Sequence, residues 1–440
     1  MSAIERWKRL MAGALLLVGG LFLGGCAGDK KRMDNTDKAE VRWYIWAVPE
    51  TEKVYREMAD AFEAENSDIR IKLEAEPWSS YSRKLLTMMA GGTAPDVFTT
   101  EYVLFYPCVA KGQVLSLDKY IAKDKSFAPD DFFPQTLEAC KVDGRLYALP
   151  KEVNVLCMYY NKKLFDAAGM QYPADGWTWQ DFLQKAKAIA AIKEGRNKNF
   201  GFYVYCKSTG YLPWILQNNG SLFDSDNMPP RYANLDSPAV QEALQFLVDL
   251  ICKHHVAPTA SEEQGLGDIF ANGRLGMMSA WMTSITRYEK QIKSFEWDVA
   301  PLPANKKRAN LGLVLMYAIS SQTKHPEEAY RFTRFLAGEK AQKILAESGM
   351  AVPVLRSVAE SPAFIGEGKR ASMMSKIVDS IAYADFNFTH VRALPNMQEI
   401  GETIDRNLEL AFMGKKSVKD ACLGAKKEAD KLIAEERSRK

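Results

Sequence analysis

The chain is poor in the groups that bond-breaking chemistry most often uses. It has four histidines in 440 residues, and two of them, His254 and His255, are neighbours at a predicted helix end, where their side chains diverge and positive charge suits the helix C-terminus. No His-Glu-x-x-His, Gly-x-Ser-x-Gly or phosphate-cradling glycine loop occurs, so zinc-hydrolase, serine-hydrolase and nucleotide chemistry all lack their usual residues. The seven cysteines never pair at the short spacings of zinc or dithiol redox sites. Beyond Cys26 they are Cys108, Cys140, Cys157, Cys206, Cys252 and Cys422. An exported chain can oxidise them, but sequence does not choose among the pairings. Cys252 and Cys422 fall on apolar helix faces, which predicts free buried thiols. Neither sign of charge prevails, with 58 basic and 55 acidic residues. No basic run carries interleaved aromatics, and the lysines from Lys415 to Lys440 alternate with Asp420, Glu428, Asp430, Glu435 and Glu436, as on a solvated helix face. Nucleic acid is therefore not an expected partner, and no metal or cofactor is expected. Repeats and low-complexity tracts are also missing from the body of the chain.

What is present begins at the N-terminus. Arg6, Lys8 and Arg9 precede a 14-residue apolar run from Leu10 to Leu23, shorter than the roughly 20 residues of a spanning helix, so the segment reads as a signal peptide over 1–25. Leu23-Gly24-Gly25-Cys26 resembles the lipobox of bacterial lipoproteins. That resemblance implies cleavage before Cys26, diacylglycerol on its thiol, attachment to the membrane through lipid alone, and a working place outside the cytoplasm. Removing residues 1–25 takes away three basic residues and Glu5, leaving 55 basic against 54 acidic residues. The remaining length favours two domains. Gly28 to Glu40 is polar and mostly charged, which suits a flexible tether spanning 26–40.

Order is expected from Val41. Val41, Trp43 and Ile45 alternate as in a strand, and Val54, Met58, Ala61 and Phe62 then recur at helical spacing. Ile69, Ile71, Leu73 and Ala75 alternate again. A helix through Tyr81, Leu85, Met88 and Met89 stops at Gly91-Gly92, and Asp96-Val97 leads into a third strand. Strand, helix, strand, helix, strand within about sixty residues implies right-handed crossovers and a parallel sheet. Further helices open at Thr178, whose partner in a capping box is Asp181, and at Ser237-Pro238 and His325-Pro326, with proline at the first helical position. Met397, Ile400, Ile404 and Leu408 share one late helix face, and Val418, Ala421, Ala425, Ala429 and Leu432 another. The fold class is α/β, with helices on both faces of parallel-rich sheets.

Six segments in fixed order carry a wider resemblance. They are Pro95-Asp96-Val97, Tyr159 to Phe165, Trp177-Thr178-Trp179, Phe270 to Met278, Ala300-Pro301-Leu302-Pro303, and Thr323 to Ala329. Together they resemble family 1 extracellular solute-binding proteins, the sugar-binding lipoproteins of ABC importers, similar in fold to maltose-binding protein. The resemblance implies a two-lobe periplasmic-binding-protein fold of type II. Lobe 1 would comprise 41–152 and 318–360, and lobe 2 would comprise 155–312 and 361–440, with crossovers near 152–155 and 312–318. It also implies a small carbohydrate bound between the lobes, ABC permease subunits as partners, and a monomer.

Sugars offer hydroxyls that need paired donors and acceptors, and C–H faces that pack on aromatic rings. Trp46 ends the first strand at the family's first cleft-facing loop, with a core tryptophan the alternative. Glu101 and Tyr102 follow the third strand where the family places a sugar-contacting acid. Asp96 is set aside because an acid at a strand entry often serves the backbone. Asn154 stands where maltose-binding relatives place a carboxylate, with Glu152 the nearby acid. Tyr211 and Trp214 resemble an aromatic patch of the second lobe, with helix packing the alternative. Trp281 lies in a loop where the family carries a tryptophan, Gly312 resembles a crossover or cleft glycine, and Asn387 and Arg392 precede the final helices. The expected function is a non-enzymatic receptor feeding a permease. The alternatives are a glycoside hydrolase using Glu101 and Glu152, a receptor for a non-sugar solute, and a sensor for a signalling kinase.

Overall fold

The computed structural model describes residues 38–194, 197–224, 230–386, 394 and 396–438. Cys26, Asn387 and Arg392 lie outside the described residues, as do the signal segment and nearly all of the tether. Strand β1 (Ala39–Trp46) is flanked by β2 (Ile69–Glu76) and β3 (Val97–Thr100), both parallel to it. It begins two residues before Val41, because Ala39 already pairs with Ile69 and its N–H donates to the Asp68 carbonyl at 3.0 Å. The crossovers are the helices Pro49–Glu65, which has proline at its first position, and Trp78–Ala90, which ends where Gly92 turns at φ +70°. Asp96 serves the backbone, accepting from the Arg42 N–H at 2.8 Å and the Thr323 hydroxyl at 2.5 Å.

A small hairpin of β4 (Lys141–Val142) and β5 (Arg145–Leu146) leads into β6 (Ala148–Asn161), which is buried along its whole length. After a second hairpin, β7 (Lys193–Glu194) and β8 (Asn197–Lys198), come β9 (Phe200–Tyr203), β10 (Leu275–Trp281), β11 (Trp297–Ala300), β12 (Asn310–Ile319) and β13 (Ala384–Asp385). Hydrogen bonding runs β2-β1-β3-β12-β6-β10-β9, with β11 on β6 and β13 on β12. The sheet is mixed. Parallel pairing is confined to β1 with β2 and β3, β9 with β10, and β12 with β13, whereas the centre is antiparallel. Local periodicity reveals β1, β2 and β3 because helices alternate with these strands along the chain. The antiparallel centre arises because β6 and β12 run past one another: Ala148 to Val155 pairs with β12, and Leu156 to Tyr160 pairs with β10.

Side chains on β6 alternate between two buried clusters, as the two-residue period of a strand requires. Val153, Val155, Cys157 and Tyr159 join the cluster that contains Trp43, Phe98 and Phe332; Leu156, Met158 and Tyr160 join the one that contains Trp179, Phe182 and Trp214. In the first, Trp43 meets Tyr55, Tyr317 and Phe332 edge-on, with centroids 5.0–6.1 Å apart, an arrangement that aromatic quadrupoles favour. The second is closed by the helices Pro238–Cys252, Met397–Phe412 and Val418–Ser438. Helix Trp179–Ala190 opens with the capping box foreseen at Thr178: its hydroxyl accepts from the Asp181 N–H at 3.2 Å, and the Asp181 carboxylate accepts from the Thr178 N–H at 2.8 Å.

That helix lies directly on β9 because Gly201 has no side chain. A Cβ there would come 2.2 Å from the Ala186 carbonyl oxygen. Both groups are backbone, so helix and strand would have to separate. Gly201→Ala is expected to cost about 1–3 kcal/mol, the usual range for overpacking. Chemical denaturation checks this, and an unchanged midpoint would contradict it.

The six described cysteines are all unpaired, and Cys422 is buried as expected. Cys252 is exposed, which corrects the expectation of a buried thiol. It is the last residue of helix Pro238–Cys252 and lies one position beyond the stripe that ends at Ile251. No described helix is long and apolar enough to cross a membrane.

Candidate functional site

The carboxyl ends of β9 and β10 frame a cavity of about 280 Å³, lined by Leu156, Tyr203, Tyr205, Gly210 and Trp281 with the hydroxyls of Thr209, Ser279 and Ser284. Trp281 pairs directly opposite Leu156, so the two side chains leave the sheet on the same side. Tyr205 is 47% exposed. The Tyr203 hydroxyl donates to Glu263 Oε1 at 2.5 Å; burial first, and this carboxylate second, raise its pKa and keep it protonated. Gly210 lets the loop after β9 fold back, since a Cβ there would lie 1.9 Å from the Tyr205 carbonyl oxygen. The composition of this wall, aromatic faces with small hydroxyls between them, suits a flat polyhydroxylated guest.

The crossing strands add a polar line beside it. Glu152, Asn154 and Leu156 share one face of β6 by period two, and Leu315 and Leu313 of β12 pair with the first two. Between Leu315 and Met316 the register shifts, so that Glu152 and Pro150 have partners while Lys151 is the extra residue of a bulge. Lys151 is buried; its ammonium contacts the Glu152 carboxylate and donates to the Tyr55 hydroxyl at 3.0 Å. Burial alone would lower the Lys151 pKa, but the charge of Glu152, aided by Tyr55 and Tyr317, outweighs it and the pKa is raised. Asn154 turns its Nδ2 toward Glu152 Oε1 at 3.5 Å, and its Oδ1 has no donor.

On the other side of the sheet centre, Trp46 is half-buried at the end of β1, edge-on to Trp78 at 4.8 Å and to Tyr81 at 4.9 Å. Trp78 itself is 56% exposed. Glu101 follows β3 as the N-cap of helix Tyr102–Ala110, its carboxylate accepting from the Val103 N–H at 3.1 Å. Tyr102 is half-buried and packs against the cluster that contains Trp214.

Trp281 thus lines the cavity and Leu156 links it to Glu152 and Asn154, whereas Tyr211 and Trp214 are not brought to it. Helix Ser208–Gln217 presents Thr209 and Gly210 to the cavity and turns the next residues inward. Tyr211 is fully buried with its hydroxyl donating to Asp405 at 2.7 Å, and Trp214 packs among Trp179, Phe182 and Phe202. The packing alternative therefore describes both. Gly312 pairs with Val155, and its missing Cβ makes room for Phe386, whose ring would lie 2.3 Å away. Sequence reasoning missed Tyr203, Tyr205 and Trp78. The run Phe200-Gly201-Phe202-Tyr203 is the signal for a short strand with an aromatic end, and Trp78 follows Pro77 at the end of β2.

Residues 48–343 match the family model described as bacterial extracellular solute-binding protein. The galactooligosaccharide-binding protein of Bacillus subtilis is 24% identical over 411 residues, covering 91% of each chain. Among solved structures, an ABC substrate-binding protein of Listeria monocytogenes in complex with cycloalternan superimposes with a TM-score of 0.78 at 26% identity, covering 90% of this chain and 100% of that one. The sugar-binding protein MalE of Xanthomonas citri superimposes with a TM-score of 0.79 at 21% identity, covering 91% and 98%.

Proposed function

The chain belongs to the bacterial extracellular solute-binding proteins and has their two-lobe α/β fold, and from that premise we propose that it is the substrate-binding lipoprotein of an ABC importer. It captures a mono- or oligosaccharide between the lobes and delivers it to the permease subunits. The observation that carries this reading is the cavity bordered by Trp281, Tyr203 and Tyr205 with the donorless Oδ1 of Asn154 on the adjoining strand face. The names of the galactooligosaccharide-binding and cycloalternan-bound relatives support a carbohydrate.

In this reading lobe 1 comprises 41–152 and 318–360, and lobe 2 comprises 155–312 and 361–440. The paired strands β6 and β12 cross between them. A ligand touching both lobes stabilises the closed state by its differential affinity, and only that state offers both surfaces to the permease. Cys26 carries the lipid that holds a monomer outside the cytoplasm. No bond is broken, since Glu101 is committed to a helix cap and Glu152 to Lys151, whereas a glycoside hydrolase needs two carboxyls free to exchange protons or attack across a cleft.

Thermal unfolding across a panel of mono- and oligosaccharides tests the proposal. A ligand at a hundredfold its dissociation constant adds about 2.7 kcal/mol, so at least one saccharide is expected to raise the melting temperature by several degrees. A flat response to every saccharide would sink the carbohydrate reading, and product formation with turnover would replace the receptor by an enzyme.

A further inference from the structure

Resting on the receptor reading, we infer that Lys151 and Glu152 are positioning residues that fix the polarity of Asn154, so that the solute must donate a hydrogen to its Oδ1. Three observations carry this. The bulge leaves Lys151 without a partner across the ladder, between Pro150 opposite Met316 and Glu152 opposite Leu315. Bulges re-aim side chains, and here Lys151 and Glu152 meet instead of leaving the strand on opposite faces. The bulge is held from behind: the Lys151 carbonyl accepts from Gln342 Nε2 at 3.1 Å, while Gln342 Oε1 accepts from the Val354 N–H at 2.8 Å.

Glu152 then has one oxygen on the ammonium and the other 3.5 Å from Asn154 Nδ2. Turning the amide over would set its carbonyl oxygen against a carboxylate, two acceptors with no proton between them. The amide is locked with NH2 toward Glu152 and oxygen away from it. That oxygen is buried in a residue only 5% exposed, and it lacks a donor. Such a group calls for a partner. Because Lys151 neutralises Glu152, the solute meets a neutral amide oxygen, which matches a sugar hydroxyl and offers a cationic solute no counter-charge.

The experiment uses whichever saccharide of the panel raises the melting temperature, together with its monodeoxy and monodeoxyfluoro analogues. Fluorine keeps the bulk of the hydroxyl but cannot donate. The wild type is expected to lose at least about tenfold in affinity for the analogue changed at one ring position, since sites built around a hydroxyl reject analogues that lack it. In Glu152→Gln the new amide gives its oxygen to Lys151 and its NH2 to Asn154, which turns Asn154 over. Discrimination at that position should then collapse to within about threefold while the parent saccharide binds more weakly. The double variant Lys151→Met/Glu152→Met frees Asn154 without leaving a lone charge, and should also lose the discrimination. A merely structural role would lower stability and leave the affinity ratio unchanged, and wild-type discrimination in both variants would overturn the inference. If no saccharide binds the wild type, the carbohydrate reading falls, and the three residues are only a core ion pair with an amide beside it.

Discussion

Replacing Lys151 with methionine is expected to destabilise the protein by about 3–5 kcal/mol, because it strands the Glu152 carboxylate in a buried site. Lys151 is 1% exposed and Glu152 6% exposed, so water does little to soften the loss. Removing both charges should recover most of it, since a well-packed apolar pair of similar volume often replaces a buried ion pair without cost. Urea unfolding of Lys151→Met, Glu152→Met and the double variant measures this directly. Additive losses would show that the residues do not act as a pair.

The pH dependence has a definite sign. The folded-state pKa of Lys151 is raised above its ordinary value, so its contribution is fully present below the ordinary lysine range and declines only as pH rises through the higher folded value. The stability difference between wild type and the double variant Lys151→Met/Glu152→Met, which leaves no lone carboxylate, is therefore expected to be flat from about pH 6 to pH 9. A steep change within that interval would mean that another group governs the pair.

The second large effect concerns recognition. Trp281→Ala should weaken saccharide binding by about thirtyfold or more, corresponding to the roughly 2 kcal/mol or more of a central aromatic anchor, while the unliganded melting temperature moves little. Trp281 is half-buried on the cavity wall, so truncating it removes more contact from the guest than from the core. Trp214→Ala should do the reverse, since Trp214 is 2% exposed within an aromatic cluster. Its loss is expected to cost about 3–5 kcal/mol of stability. Calorimetric titration and thermal melts on both variants separate the two roles, and a large stability loss in Trp281→Ala with normal binding would reassign it to packing.

The contrast between these tryptophans shows how far the candidate site was legible. Trp281, Tyr211 and Trp214 are equally aromatic, and each follows a glycine within a few residues. What separates them is the face of helix Ser208–Gln217 on which each lies: Tyr211 and Trp214 are buried in the cluster beneath it, and Gly210 lines the cavity. Glu101 was legible as an acid after a strand, but its engagement as an N-cap depends on where the next helix begins. Asn154 was named through its distance from the Tyr159–Phe165 segment, where the resemblance sets a carboxylate, and Glu152 as the nearby acid. Their coupling through Lys151 was not legible, because a bulge is a property of two strands and only one of them is local to those residues.

Within one segment, then, the chain's own pattern suffices. Alternation and helical spacing find the β1–β3 units, the Thr178–Asp181 cap and the late helices, because those features are set by neighbours a few positions away. Pairings between residues more than a hundred positions apart belong to the tertiary structure: Leu156 with Asn310, Tyr159 with Trp281, Leu313 with Asn154. No short-range preference encodes which distant strand lies alongside, and it is this choice that carries β6 and β12 past each other and sets Asn154 beside the aromatic wall.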